Sequence, residues 1–261
     1  MSLDIWTQCA GLRSVRPLET RAWRVVEAQH KVSTRPLVDS LEEQELLEEI
    51  IDEVKPPRPA GAAFANLHFL LYTPFRHPPL PHGSRFGKAA DRGIWYGARL
   101  VETCLAEKAY YQLLFAAGTA ARLENLTCIW SAFQAEVRAA RGVDLTVEPF
   151  AEFEREISSP TSYTATHALG KSLRAADVEA CLYVSARCPR RGKALALFEP
   201  AFGSRNPVGT PQTWRSTMTS TGCEVGPVNA ADPQVLVFPR AGFEVDGRLP
   251  APGLGGAAAR R

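Results

Sequence analysis

The sequence predicts an α+β fold in a single domain. Two observations point there: candidate strands and helices follow one another without a regular βαβ alternation, and the most convincing strand, Glu179-Ala180-Cys181-Leu182-Tyr183-Val184-Ser185, is an apolar run of the kind buried on both faces. A third bounds the size. At 261 residues, 45% hydrophobic and 22% charged, a chain folding as one unit buries roughly 70–75% of its surface and needs no staples.

Taken in order, Arg21-Ala22-Trp23-Arg24-Val25-Val26 reads as a short strand, and Leu41 to Val54 as a helix. Ser40 and Glu43 have capping-box spacing, Leu47, Ile50, Ile51 and Val54 form an apolar stripe, and Pro56-Pro57 stops the run. Residues 1–60 are expected to be a partly helical N-terminal extension packed on the main domain. Leu67-His68-Phe69-Leu70-Leu71-Tyr72 reads as a strand. A loop rich in proline and glycine runs from Thr73 to Gly93, long enough to suggest function or disorder. Gly93-Ile94-Trp95-Tyr96-Gly97 is a second strand. Val101 to Phe115 turns helical, with Val101, Cys104, Leu105, Tyr111, Leu114 and Phe115 on its buried side. Leu126 to Val137 reads as a strand, Thr161 to Ala175 as a helix, and Ala194 to Phe198 and Val235 to Phe238 as later strands. Beyond Pro200 the pattern fades, and from about residue 249 proline, glycine, alanine and arginine favour disorder.

Thirty basic against 28 acidic residues give a net charge of +2, too balanced for a protein that coats nucleic acid. The basic run Arg187, Arg190, Arg191 and Lys193 reads as a solvated loop. No basic-then-apolar leader opens the chain and no apolar run is long enough to cross a bilayer. The six cysteines contain no CxxC pair and read as reduced, which fits a cytoplasmic location without a metal site or prosthetic group.

Four residues carry candidate chemistry, and each has a plain alternative. Arg85, in Gly83-Ser84-Arg85-Phe86-Gly87, offers a planar fork for phosphate oxygens, with glycines that allow close approach; alone it reads as a surface arginine. Tyr96, at the end of a strand leading into a helix, can stack and hydrogen-bond, or simply fill core. Glu107 lies near the edge of the helix face, a boundary carboxylate unless it turns into a pocket, where it needs a partner. Ser185 ends the buried strand, but no GxSxG elbow surrounds it, so it does not read as a hydrolase nucleophile.

In this order and context, Gly83-Ser84-Arg85-Phe86-Gly87, then Gly93-Ile94-Trp95-Tyr96-Gly97-Ala98, then Glu102-Thr103-Cys104-Leu105-Ala106-Glu107, closely resemble the RES domain. Tyr96 and Glu107 keep the family's interval of eleven residues, and Leu182-Tyr183-Val184-Ser185-Ala186-Arg187 is similar to its serine strand. The resemblance runs from about Leu67 to Pro200, which puts a RES domain at 61–215 and a C-terminal segment at 216–261. Trp23-Arg24-Val25-Val26 and the residues after it are similar to the extension of longer members. Gly87 and Lys193 depart from the family, which often has asparagine at both places.

The resemblance implies a fold like that of ADP-ribosyltransferases and an enzyme that degrades NAD⁺, by phosphorolysis or hydrolysis, as a toxin neutralised by an Xre-like antitoxin. It makes NAD⁺ the substrate, inorganic phosphate a candidate co-substrate, and direct contact with nucleic acid or membrane unexpected. Residue by residue, it assigns Arg85, Glu107 and Ser185 to catalysis. Arg85 and Arg76 would hold the diphosphate or phosphate, Tyr96 would bracket the nicotinamide end, and Ser185 would position ribose or phosphate. Two alternatives stand beside this reading: a protein ADP-ribosyltransferase, and an inactive RES-like module that only binds.

Overall fold

The computed structural model describes residues 4–28, 40–79, 81–119, 125–229 and 234–252. The architecture is α+β, as the sequence predicts. Helix α1 (Ile5–Gln8) and strand β1 (Arg16–Glu27) precede helix α2 (Leu41–Glu53). Helix α3 (Phe69–Arg76), strand β2 (Trp95–Ala98), helix α4 (Val101–Ala117) and the long strand β3 (Leu126–Asp144) follow. Helices α5 (Glu154–Ile157) and α6 (Thr164–Ala175) lead to strands β4 (Ala180–Val184), β5 (Lys193–Leu197), β6 (Val208–Met218), β7 (Gly222–Pro227) and β8 (Leu236–Pro239).

One sheet runs β1-β2-β5-β4-β3-β6-β7-β8, and β1 also pairs with β3 from Arg16↔Gly142 to Glu27↔Trp130. Because β1 meets β2 through Trp23↔Ala98 as well, β1, β2, β5, β4 and β3 close into a ring. Period-2 alternation then divides the apolar side chains. Cys181, Tyr183, Ala194 and Ala196 face α1 and α6 with Phe86 and Leu169. Ala180, Leu182, Leu195 and Leu197 face Leu71 and Phe75 of α3 and Trp95. Strands β4 and β5 are therefore buried on both sides, which is why they read as unbroken apolar runs. A third cluster carries α4 onto β6, β7 and β8 through Leu105, Tyr110, Leu113, Trp214 and Phe238.

Several expectations are corrected. Residues 69–76 are helical: Leu67, Leu71 and Phe75 are buried at helical spacing, and His68 caps the helix by accepting from the Leu70 amide. A short apolar run has no decisive period, so tertiary packing chooses. On α4, Tyr111 and Phe115 are 50% and 67% exposed, while Thr103, Ala106, Ala109, Tyr110 and Leu113 are buried. Cys104 and Leu105 are buried as expected, but the helix is apolar nearly all round and its small residues let it approach the sheet closely, so the buried face turns away from Tyr111 and Phe115. Strands β6 and β7 were not expected. In β6 the buried Trp214, Ser216 and Met218 alternate with Arg215 and Thr217, but a serine at a core position obscures the pattern. The segment 16–27, expected within an extension, is a strand of the ring. The capping box forms as expected, Glu43 N donating to Ser40 Oγ at 3.1 Å and Ser40 N to Glu43 Oε2 at 3.3 Å. The stripe on α2 is not buried throughout, since Ile50 and Val54 are 48% and 77% exposed. Most of the expected tail disorder, and Gln29 and His30 of the extension, lie outside the described residues.

Asp4 ties the N-terminus to the domain. It caps α1 by accepting from the Thr7 amide at 2.7 Å and accepts from Ser172 Oγ of α6 at 2.6 Å. The Ser172 bond first, then the Thr7 amide, lowers the Asp4 pKa. A depressed carboxyl contributes stability above its unfolded value, about 3.9, and loses it as pH falls through the lower folded value. Asp4→Asn should therefore differ most from the parent in thermal midpoint near neutral pH, the difference closing as the buffer is taken below about pH 4.

Candidate active site

A cavity of about 470 Å³ opens between β1, β2, α4 and the loop before β2, with Tyr183 of β4 and Tyr163 beside α6 completing its wall. This is within the range of small-molecule sites, about 300–1,000 Å³. Arg85, Tyr96 and Glu107, separated in sequence, all line it.

Arg85 stands on a tight turn. Gly83 has φ +78, and Ser84 N donates to Gly87 O at 2.7 Å, closing residues 84–87. The side chain is 6% exposed, not the surface group its local sequence suggests. Its Nη1 donates to the carbonyls of Ile157 at 2.9 Å and Ser159 at 3.1 Å, and the guanidinium lies 5.0 Å from the Tyr163 ring centroid. Burial pulls its pKa down, but Tyr163, Tyr183 and the Glu107 carboxylate outweigh burial and raise it. The cation is thus permanent and feels the charge of Glu107.

Glu107 projects from α4 toward the end of β4. Its Oε1 accepts from Ser185 Oγ at 2.5 Å. Ser185, 1% exposed, in turn accepts from the amides of Arg187 at 3.1 Å and Cys188 at 3.0 Å. With one hydrogen donated and two accepted, the hydroxyl is saturated. It therefore fixes the carboxylate and is not available to hold ribose or phosphate, which corrects the expected role. Ser185→Ala should cost about 1–2 kcal/mol of stability by orphaning the two amides, seen as a lower thermal midpoint.

Tyr96 is likewise structural at its polar end. Its hydroxyl meets Ser84 Oγ at 2.9 Å and accepts from Phe86 N at 3.1 Å, and burial drives its pKa up. It pins the Arg85 turn, so its hydroxyl is not free to bracket a nicotinamide. Tyr96 shares the cavity wall with Tyr111, Tyr163 and Tyr183, and Tyr111 Oη lies 3.3 Å from Tyr163 Oη.

Arg76 is not at the site. It ends α3, and its Nε donates to the Pro56 carbonyl. The arginine that joins Arg85 in the cavity wall is Arg24 of β1, which the sequence places in a strand of the N-terminal extension and assigns no role at the site. Its Nη1 donates to the Tyr96 carbonyl at 2.5 Å, and its guanidinium lies 5.5 Å from the Trp95 ring centroid. Its Nε is shielded from water with no partner. Burial lowers its pKa to about 10, so it stays charged at pH 7. A sequence signal was present: one arginine inside the apolar run Trp23-Arg24-Val25-Val26, where an unpaired charge is costly.

The basic run divides. Arg187 is 4% exposed, bonded to the Pro160 carbonyl at 2.8 Å and 3.7 Å from the Tyr110 ring centroid. Arg190 and Arg191 are exposed, and Lys193 pairs with Asp144 at 3.2 Å. Among the described residues no cluster of three or more His, Cys, Asp or Glu could hold a metal, and no helix is long and apolar enough to cross a membrane.

Among solved structures, the chain is similar at 16% identity and a TM-score of 0.45 to one described as the M. tuberculosis MbcT–MbcA toxin–antitoxin complex. The likeness covers 84% of this chain and 94% of that one. Comparison with curated proteins gives no match. The RES domain matches residues 55–218, a span that holds Arg85, Tyr96, Glu107 and Ser185 and begins beyond Arg24. Since that match covers more than half of the sequence, the chain belongs to the RES-domain family.

Proposed function

We propose that the protein is an NAD⁺-degrading enzyme that cleaves the bond between nicotinamide and ribose, and acts as a toxin. The observation that carries this reading is the placement of Arg85 and Glu107 on one cavity. Nicotinamide leaves as a neutral group, so the reaction needs no acid, and positive charge builds on the ribose as in glycoside cleavage. A carboxylate held at that sugar stabilises the transition state more than the ground state. Glu107, oriented by Ser185, is the group placed for this. Arg24, with its unsatisfied Nε, and Arg85 supply positive charge for an incoming inorganic phosphate beside the ribose, and the tyrosine wall suits a flat ring.

The acceptor is phosphate or water. Attack by phosphate yields nicotinamide and ADP-ribose 1″-phosphate; attack by water yields nicotinamide and ADP-ribose. Incubating the pure protein with NAD⁺, with and without phosphate, and separating the products tests the reading. Release of nicotinamide supports it, and the sugar product identifies the acceptor. Intact NAD⁺ leaves the binding-module alternative, and label transferred from NAD⁺ to protein favours ADP-ribosylation. The partner expected from the family resemblance is an Xre-like antitoxin, which we place over this cavity. A co-purified complex should turn over NAD⁺ at least about tenfold more slowly than the free chain, because the covered sites cannot admit substrate; full turnover in the complex would reject the placement.

A further inference from the structure

Lys108 follows Glu107 on α4 and lines the same cavity, but on the side of Glu27, the last residue of β1. Its Nζ lies 3.1 Å from Glu27 Oε1, and the two side chains are 28% and 74% exposed. Lys108 differs from the two arginines. Arg85 Nη1 is committed to the Ile157 and Ser159 carbonyls and Arg24 Nη1 to Tyr96, whereas the partner of Lys108 is a carboxylate that is 74% exposed to water. An exposed pair of this kind is weak and screened by salt, so an incoming anion can take the ammonium from Glu27 at little cost.

The position of Lys108 is also specific. Lys108 is the residue after Glu107 on α4 and Glu27 ends β1, so the Lys108–Glu27 pair lines the cavity from the strand end while Arg24 lines it from within the strand. A substrate whose ribose lies at Glu107 must carry its 5′-phosphate outward, away from Ser185 and the end of β4. We propose that Lys108 receives the diphosphate bridge of the dinucleotide. Glu27 holds the lysine in place when the site is empty and opposes the same phosphates when it is filled. This pair makes the enzyme select substrates that bear a diphosphate over those that end at the ribose. The inference rests on the proposed NAD⁺ reading for its substrate and assigns the residue that discriminates within it.

The test compares the parent with Lys108→Ala, Lys108→Arg and Glu27→Gln, using NAD⁺ and nicotinamide riboside, which lacks the diphosphate. For Lys108→Ala the KM for NAD⁺ should rise about tenfold, the scale of one lost charge-assisted bond, with a smaller change in kcat. The preference for NAD⁺ over the riboside in kcat/KM should fall by a similar factor. Lys108→Arg should recover most of that preference, and Glu27→Gln should lower the KM for NAD⁺. Calorimetric titration with ADP-ribose gives a readout independent of turnover, with binding to Lys108→Ala about tenfold weaker and less sensitive to salt than binding to the parent. If the parent cleaves NAD⁺ but Lys108→Ala keeps the parental KM and preference, the assignment of Lys108 is overturned while the proposed function stands. If the parent releases no nicotinamide, the proposed function fails, and equal ADP-ribose binding by parent and variant would overturn the Lys108 assignment as well.

Discussion

Glu107→Gln should reduce NAD⁺ turnover by about 10²-fold or more, with little change in thermal midpoint. A hundredfold is about 2.7 kcal/mol of transition-state stabilisation, the scale of one lost electrostatic group. Glutamine is nearly isosteric, and its amide oxygen can still accept the hydrogen bond from Ser185 Oγ. The fold should therefore tolerate the change, and the loss should appear in kcat as well as in kcat/KM. A purified Glu107→Gln variant that consumes NAD⁺ at the parental rate would remove the carboxylate from the mechanism.

Gly170→Ala should lower the thermal midpoint by about 2–12 °C and reduce turnover with it. In an ordinary helix this change is stabilising by roughly 1 kcal/mol. Here a β-carbon on Gly170 of α6 would lie 2.1 Å from the Phe86 carbonyl oxygen and 3.1 Å from its Cα. Those atoms belong to the turn that carries Arg85, and Phe86 is fully buried beneath it. Backbone cannot swing aside as a flexible side chain can. Either α6 or the turn must move, at the cost of about 1–3 kcal/mol typical of overpacking, and each kcal/mol shifts the midpoint of a chain this long by about 2–4 °C. Because Arg85 also bonds to the carbonyls of Ile157 and Ser159, moving the turn withdraws the guanidinium from the cavity. Differential scanning fluorimetry and the NAD⁺ assay on one preparation would check both parts. A variant that melts with the parent and retains its rate would show that the contact yields freely.

How far the site could be read beforehand depended on the residue. Glu107, Arg85 and Ser185 were legible because their local sequences are similar to those of a known family, with Tyr96 and Glu107 at a set interval. Their roles were less so. Nothing around Ser185 indicates that its hydroxyl is filled by two amides and a carboxylate, since one of those partners lies 78 residues away. Tyr96 lines the cavity as its place in the sequence suggests, but that its hydroxyl is spent on the Arg85 turn shows only in the fold. Arg76 and Arg24 show the reverse error. Both follow an aromatic residue, and the pairing of β1 with β2, through Trp23↔Ala98, is what puts Arg24 in the cavity wall.

The sequence by itself determined the α+β class, the capped start of α2, the buried strands β4 and β5, and the family. These rest on local signals: caps, apolar runs and short motifs, each carried by residues close together in the chain. Only the tertiary structure decided that 69–76 is a helix, that β6 and β7 extend the sheet, which side of α4 is buried, and which arginine joins Glu107. Those outcomes depend on contacts between distant segments, where a pairing partner or a facing surface outweighs local preference. The ring formed by β1, β2, β5, β4 and β3 creates the cavity, and no local stretch of the chain encodes its closure.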